Sequence, residues 1–454
     1  MQRNLTTGNI MTTMLAFAAP MIAGNMLQQL YNVADSLIVG QFISSDALAA
    51  VGAAYSLMTF ITSVIIGLCM GSGALFSFYH GQQAEEKLRN YVHVSFLLIA
   101  VISAVLNVLS FILLDHILLW LAVPQEILPL MRSYVFFIFF GILFVFLYNF
   151  FSFLLRALGN SIVPLFFLGA TVVLNIGLDL LFVISFDMKI EGAAIATVIS
   201  QAVAGGGISV YAWCKLPQLR FRRSNEKKDF DTAGNFSFRR TAKEIFQFST
   251  ISALQQSVMN FGILMIQGLV NSFGPAVMAA FAAVVKVDSF AYMPAQEFGN
   301  AYSLFVSQNF GAGKQERIQQ GTKRALQLSA AFCVVISVLV FAGAKLLMLI
   351  FISPAETEII AVGVQYLRIE GAFYIGIGIL FLLYGYYRGI NRPAMSLILT
   401  AISLGTRVAL AYLLSAVPSI GVLGIWVSIP IGWILADAAG LLYMRHLQKI
   451  NEVS

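Results

Sequence analysis

Residues 20–40 read PMIAGNMLQQLYNVADSLIVG, and this stretch from Pro20 to Gly40 sets Asn25, Gln28, Asn32 and Asp35 inside a long apolar run. Spacings of three, four and three put those side chains on one stripe of an α-helix. An ionised carboxylate facing hydrocarbon costs about 3 kcal/mol on insertion scales, so intramembrane acids turn toward a bundle interior or a wet cavity. Asp35 therefore predicts a cavity and marks a functional site. The amides have a plainer use as hydrogen-bonding contacts between spans.

The rest of the chain agrees with a membrane setting. Of 454 residues, 59% are hydrophobic and 11% charged, and the mean hydropathy of +0.85 is far above that of a domain that must stay in water. Cys69, Cys214 and Cys333 have no paired spacing and read as packing residues. Ala16-Phe17-Ala18 has the look of a signal-peptidase site, but apolar sequence runs on to Phe42, so the first span is expected to stay uncleaved.

Stretches of about 20 apolar residues, enough to cross the bilayer, can be laid out twelve times: 13–42, 47–78, 92–114, 130–155, 162–186, 191–214, 245–271, 277–308, 325–351, 358–387, 394–416 and 421–445. The net charge of +6 is topological and carries no nucleic-acid reading. Of the 27 Lys and Arg residues, 21 fall at the termini and in the segments that join even-numbered spans to the next odd one. By the positive-inside rule both termini are cytoplasmic, and the expected location is the inner (cytoplasmic) membrane.

The one long polar segment, Lys215 to Lys243, contains RFRRSNEKKDFDTAGN and no apolar periodicity. It predicts a basic cytoplasmic linker, 215–243, between a six-helix lobe at 1–214 and another at 244–454. The halves look duplicated. LAAVGAAY at 48–55 aligns with MAAFAAVV at 278–285, and GQQAEEK at 81–87 falls on GAGKQER at 311–317 at the same offset. Arg156 with Pro164 recurs as Arg388 with Pro393, and Gly192 recurs as Gly424. Copies with an even number of spans share an orientation, so the lobes should be related by a pseudo-twofold along the membrane normal.

The fifth span supplies a second acid. In LFFLGATVVLNIGLDLLFV, Asn175 and Asp179 are four apart and share a face, and the sixth span adds the Thr197 hydroxyl. The second half is chemically unequal: the position matching Asp35 is Met265, and the seventh span carries only the amides Gln256, Asn260, Gln267 and Asn271. Gln28, Asn32, Gln256 and Asn260 are expected to line a cavity, with the ion-coupled site in the N-terminal half. Lys286 with Asp288 or a neighbouring span, and Arg368 with Glu370 or Glu297, could pair to lower the cost of burial, and Glu297, close to Pro294 and Gly299, is the best candidate for a second site. The four histidines lie near span ends, far apart, and HExxH, GxSxG and P-loop patterns are missing. This is not the sequence of an enzyme or of an ATP-driven pump, and no metal or organic cofactor is expected.

These motifs together resemble the multidrug and toxic compound extrusion (MATE) transporters over essentially the whole chain. The likeness rests on the Asp35 context, GSGALFSFYHG, RALGNSIVP, VLNIGLD followed by EGAAIAT, and KVDSFAYMPAQEFGNAYSLFVSQNFGAGK. The fifth-to-sixth-span stretch is most similar to bacterial DinF-like and MepA-like members. The resemblance implies two lobes in a V, working as a monomer, that export cationic or amphipathic drugs in antiport with H+ or Na+. Matched by position, the cation-coupling residues would be Asp35, Asn175, Asp179 and Thr197. The NorM-like branch has a seventh-span acid that is replaced by amides here, so a C-lobe cation site of that kind is not expected. The alternative is a flippase for lipid-linked oligosaccharides or peptidoglycan precursors, which should line its cavity with several Arg or Lys. A channel fits duplicated halves poorly, because channels usually build a pore by oligomeric symmetry.

Overall fold

In the computed structural model, residues 3–121, 123, 125–219 and 237–453 are described. The middle of the basic linker, 220–236, lies outside them. The described chain is helical: α1 Ile10–Phe42, α2 Ser45–Gly81, α3 Glu85–Ile112, α4 Leu114–Trp120, α5 Leu128–Phe139, α6 Ile142–Ala157, α7 Ile162–Asp179, α8 Lys189–Lys215, α9 Phe238–Asn271, α10 Pro275–Gly311, α11 Gln315–Phe351, α12 Thr357–Gly371, α13 Tyr374–Gly389, α14 Pro393–Ser415 and α15 Val422–Val453. A π-helical turn, Leu180–Ser185, continues α7.

Among the described residues ten helices are long and apolar enough to cross a bilayer, and the spans number twelve when each of two bent pairs, α5 with α6 and α12 with α13, is counted as one. Hydropathy outlines the fourth and tenth spans, 130–155 and 358–387, without marking a break in either. Both are broken in the structure, by 47° and 52°. At the first break Phe140 and Gly141 donate to the carbonyls three residues back, Phe137 and Ile138. At the second, Phe373 donates to Glu370 and Gly376 to Phe373 in the same way. Tightened i to i−3 bonds interrupt the α-helical ladder, which is how a helix kinks without proline.

The duplication shows most sharply in the turns. Gln83 and Gly313, 230 positions apart, both take left-handed φ values of 58° and 69°. After each, a matching bond closes the turn, from Ala84 N to Tyr79 O and from Lys314 N to Asn309 O. Gly159 (φ 83°) and Asn391 (φ 59°) repeat the device at the end of α6 and α13.

The chain divides into two compact units, and they are not the two sequence halves. One comprises Met1–Asn4 with Met26–Ala253, the other Leu5–Asn25 with Leu254–Ser454. Both α1 and α9 are therefore split between units. The reason lies in their apolar residues. Leu5, Met14, Phe17, Ala18 and Met21 are buried in the core of the second unit, while Ile245, Phe248 and Ala253 from the start of α9 are buried in the first. Polar contacts fix both exchanges. In the second unit, Arg317 donates to the carbonyls of Thr7 (2.7 Å) and Gly8 (2.8 Å), and Lys314 to that of Thr6 (2.8 Å). In the first, Tyr91 donates to Glu244 at 2.6 Å, and the Ser72 and Ser249 hydroxyls meet at 3.0 Å. Boundaries drawn at 214 and 244 from charge alone could not register either exchange.

Candidate functional site

Within the first unit, the later part of α1 meets α7 and α8 at the residues singled out from sequence. Asp179 ends α7 and is 0% exposed, as is Asn175 one turn earlier, and Asp35 is 8% exposed. With its amide oriented to satisfy both ends, Asn175 donates from Nδ2 to Asp179 Oδ2 at 2.8 Å and accepts from the Thr197 backbone N–H at 3.3 Å. Asn175 thus joins α7 to α8. Asp35 is close enough for its charge to act on Asp179.

Two tyrosines were missed in the sequence. Tyr31 lies four residues before Asp35 and so on the same face, and its hydroxyl meets Thr197 Oγ1 at 3.3 Å, tying α1 to α8. Tyr134 of α5 is buried within electrostatic reach of Asp35, Tyr31 and Asp179. The Tyr31 signal was available in its spacing. For Tyr134 none was, because only the folding of α5 against α8 brings it near.

One oxygen of each acid, Asp35 Oδ1 and Asp179 Oδ1, is buried without a hydrogen-bond partner among the described residues. A buried carboxylate is stable only if paired, hydrogen-bonded or neutralised. The oxygens around the acids are hard ones, from the two carboxyls, a threonine and a tyrosine, and these suit a proton or a small hard cation. The π-helical turn begins at the residue after Asp179, and such turns recur at functional sites. Gln28 and Asn32 are half-buried on α1 in this unit.

In the second unit, Gln256 and Asn260 are half-buried on α9. The buried neighbour Gln255 is the one that accepts from Arg388, at 3.5 Å. Glu297 accepts from Asn300 at 3.3 Å, and Asn300 in turn accepts from Arg388 at 3.3 Å, so Glu297 belongs to a polar relay around a buried arginine. The two pairs within one helix do not form. Lys286 is exposed and lies over the Phe351 ring, while Asp288 is buried and accepts from Tyr374. Arg368 is exposed over Phe341, while Glu370 is buried. Residues two apart on a helix point to different sides, so neither pair could have met. Cys69 and Cys333 are buried as packing residues should be, but Cys214 is exposed.

Comparison with known proteins gives the fold a family. The MatE family model matches twice, at residues 20–181 and 252–413, an independent sign of the duplication. "Probable multidrug resistance protein YpnP" of Bacillus subtilis is 30% identical over 446 residues, 98% of this chain and 96% of that protein. "Probable multidrug resistance protein YoeA" of the same organism is 24% identical over 98% of this chain and 96% of that protein. Among solved structures, an outward-facing multidrug resistance MATE transporter superposes with a TM-score of 0.88 at 21% identity, covering 99% of this chain and 98% of its own. A duplicated pattern of six spans, matched along both copies, leaves one assignment: this multi-pass membrane protein belongs to the MatE family, the multidrug and toxic compound extrusion transporters.

Proposed function

We propose that this chain is a secondary active exporter of cationic and amphipathic compounds, working as an antiporter in which H+ or Na+ and drug compete for the charge of Asp35 and Asp179. The observation that carries the reading is the buried network of Asp35, Tyr31, Asn175, Asp179 and Thr197, with an unpartnered oxygen on each acid. The relatives' names, as multidrug resistance proteins, support the substrate class.

Exchange follows from charge balance. With both carboxylates free, the network attracts a cation from the cytoplasm or the inner leaflet. Once the coupling ion neutralises them, that attraction is gone and the drug is released on the outer side. The neutral network is then cheap to carry back through a low-dielectric environment. Because a ligand shifts a conformational equilibrium only by its differential affinity for the two states, ion and drug must favour opposite-facing forms. On this reading the protein sits as a monomer in the cytoplasmic membrane with both termini in the cytoplasm; Gln28 and Asn32 in the first unit, and Gln256 and Asn260 in the second, each offer half-buried polar groups to a substrate.

Uptake of a fluorescent cationic dye into everted membrane vesicles, whose outer surface is the cytoplasmic face, tests the coupling. With a pH gradient and a sodium gradient imposed separately, dye movement is expected to follow one of them and to stop when it is collapsed. Dye movement that ignores both gradients would contradict antiport.

A further inference from the structure

Arg388, in the second unit, is a buried charge that the exchange chemistry leaves unused. It is the penultimate residue of α13 and only 4% exposed, yet it has no carboxylate partner among the described residues. Its bonds go to neutral amide oxygens and are long. Nη1 donates to Asn300 Oδ1 of α10 at 3.3 Å, and Nη2 to Gln255 Oε1 of α9 at 3.5 Å. Nε is buried with no hydrogen-bond partner among the described residues. The more open flank lies on α9 and α10, where Gln256, Glu297 and Asn300 are half-buried, while α13 is buried at every position from Leu380 to Gly389. Arg156, the matching residue at the end of α6, is half-buried over the Phe153 ring and has no side-chain acceptor among the described residues. The repeated helix end therefore does not need an arginine this deep.

A guanidinium keeps its proton in a protein, so its burial cannot be relieved by neutralisation as an acid's can. A buried charge is costly unless it is paired. The two amide oxygens are neutral, and Glu297 reaches the arginine only through Asn300, which donates to it at 3.3 Å. What the site lacks is an anion with two oxygens in one plane, the partner that the guanidinium fork fits best. A carboxylate arriving there would replace the long bond to Gln255 with shorter, charge-assisted ones and would use the Nε–H as well. Glu297, three residues before Asn300 on the same helix, offers a counter-charge to a cationic group on the same compound.

We propose that Arg388, with Gln255 and Asn300, is a subsite for the carboxylate of zwitterionic compounds, and that it sets how well such compounds are taken relative to purely cationic ones. This role rests on the export reading above and extends its substrate class: acids recognise the cationic end, and one buried arginine recognises the carboxylate. A compound with both charges is nearly neutral overall, so little net charge is buried when it binds. Masking the carboxylate as an ester removes the group that Arg388 holds and leaves the cation untouched.

Rhodamine 110 carries a free carboxylate, and rhodamine 123 is its methyl ester. Binding of each dye to the purified full-length protein in detergent, followed by fluorescence polarisation, tests the subsite. Arg388→Gln is expected to weaken rhodamine 110 by roughly 10-fold or more, the usual scale for losing a charged hydrogen-bond partner, and to change rhodamine 123 by less than about twofold. Arg388→Lys keeps the charge but loses the fork, so it should recover part of the loss. Gln255→Glu leaves Arg388 in place and sets a permanent carboxylate against it. It should give the same selective loss, which keeps the subsite testable if Arg388→Gln fails to fold. Equal losses for the two dyes in either variant would overturn the proposal, since Arg388 would then be a packing residue. So would rhodamine 110 binding that both variants leave unchanged. Wild type that binds neither dye would instead contradict the export reading, and this subsite with it.

Discussion

Substituting Asp35 by Asn should abolish gradient-driven efflux of a cationic dye, with a fall in initial rate of roughly 100-fold or more. An interaction with a charged group is worth about 1.5–3 kcal/mol, and each 1.4 kcal/mol is a factor of about ten, so losing the charge that binds the coupling ion accounts for about two decades. Asp179→Asn should match it, because Asp179 contributes the other unpartnered buried oxygen and anchors the Asn175 amide. Thr197→Val should cost much less, roughly 5- to 10-fold, since it removes contacts of neutral groups worth about 1 kcal/mol each. Initial rates of dye uptake into everted vesicles, normalised to the amount of folded transporter, check the order. Equal losses in all three variants would point to structural damage, and an unaffected Asp35→Asn would remove the charge from the mechanism.

A second large effect is expected on folding. Gly385→Leu should prevent the second unit from assembling, because a Cβ at that position would collide with the backbone carbonyl oxygen of Gly299 on α10. The approach is reciprocal: a Cβ on Gly299 would come within 2.7 Å of the Phe381 carbonyl oxygen. Small residues let membrane helices pack backbone to backbone, and here no rotamer relieves the clash, since the obstructing atoms are main chain. Overpacking costs about 1–3 kcal/mol when side chains can yield, so a backbone collision should exceed that range. Gly268→Ala on α9 is the control. A Cβ there has open space around it, and replacing a helical glycine removes a penalty of about 1 kcal/mol. Fluorescence-detected size-exclusion chromatography after heating should show aggregation for Gly385→Leu and a melting temperature at or above wild type for Gly268→Ala. A normal profile for Gly385→Leu would mean that α10 and α13 are not packed this closely.

Most of the span layout was legible because hydrocarbon thickness imposes a length on every crossing helix; most ends of the twelve apolar runs fall within a few positions of the helices, while α3, α9 and α11 begin seven to ten residues earlier, in polar sequence that hydropathy does not count. Asp35, Asn175, Asp179 and Thr197 were legible for a related reason. A polar group in an apolar run stands out, and helical spacing says which ones share a face. What escaped was everything decided by packing rather than by period. Gly141 and Gly371 sit beside bends that no change in hydropathy announces. Phe17 and Phe248 look like ordinary span residues, yet they carry the ends of α1 and α9 into the cores of different units. Asp288 and Glu370 were read beside their sequence neighbours Lys286 and Arg368, when helical geometry turns each acid inward and each cation outward. Tyr31 was passed over because a tyrosine in an apolar run does not look polar until its hydroxyl meets Thr197.

Ion release from the purified protein addresses the central proposal most directly. Ethidium is added to detergent-solubilised transporter in weakly buffered solution without any gradient, and released H+ is followed with a pH indicator, or released sodium with radioactive Na+. Wild type is expected to release the coupling ion in proportion to the drug bound, and Asp35→Asn/Asp179→Asn to release none. Undiminished drug-linked release from that double variant would contradict competition between ion and drug for these two carboxylates.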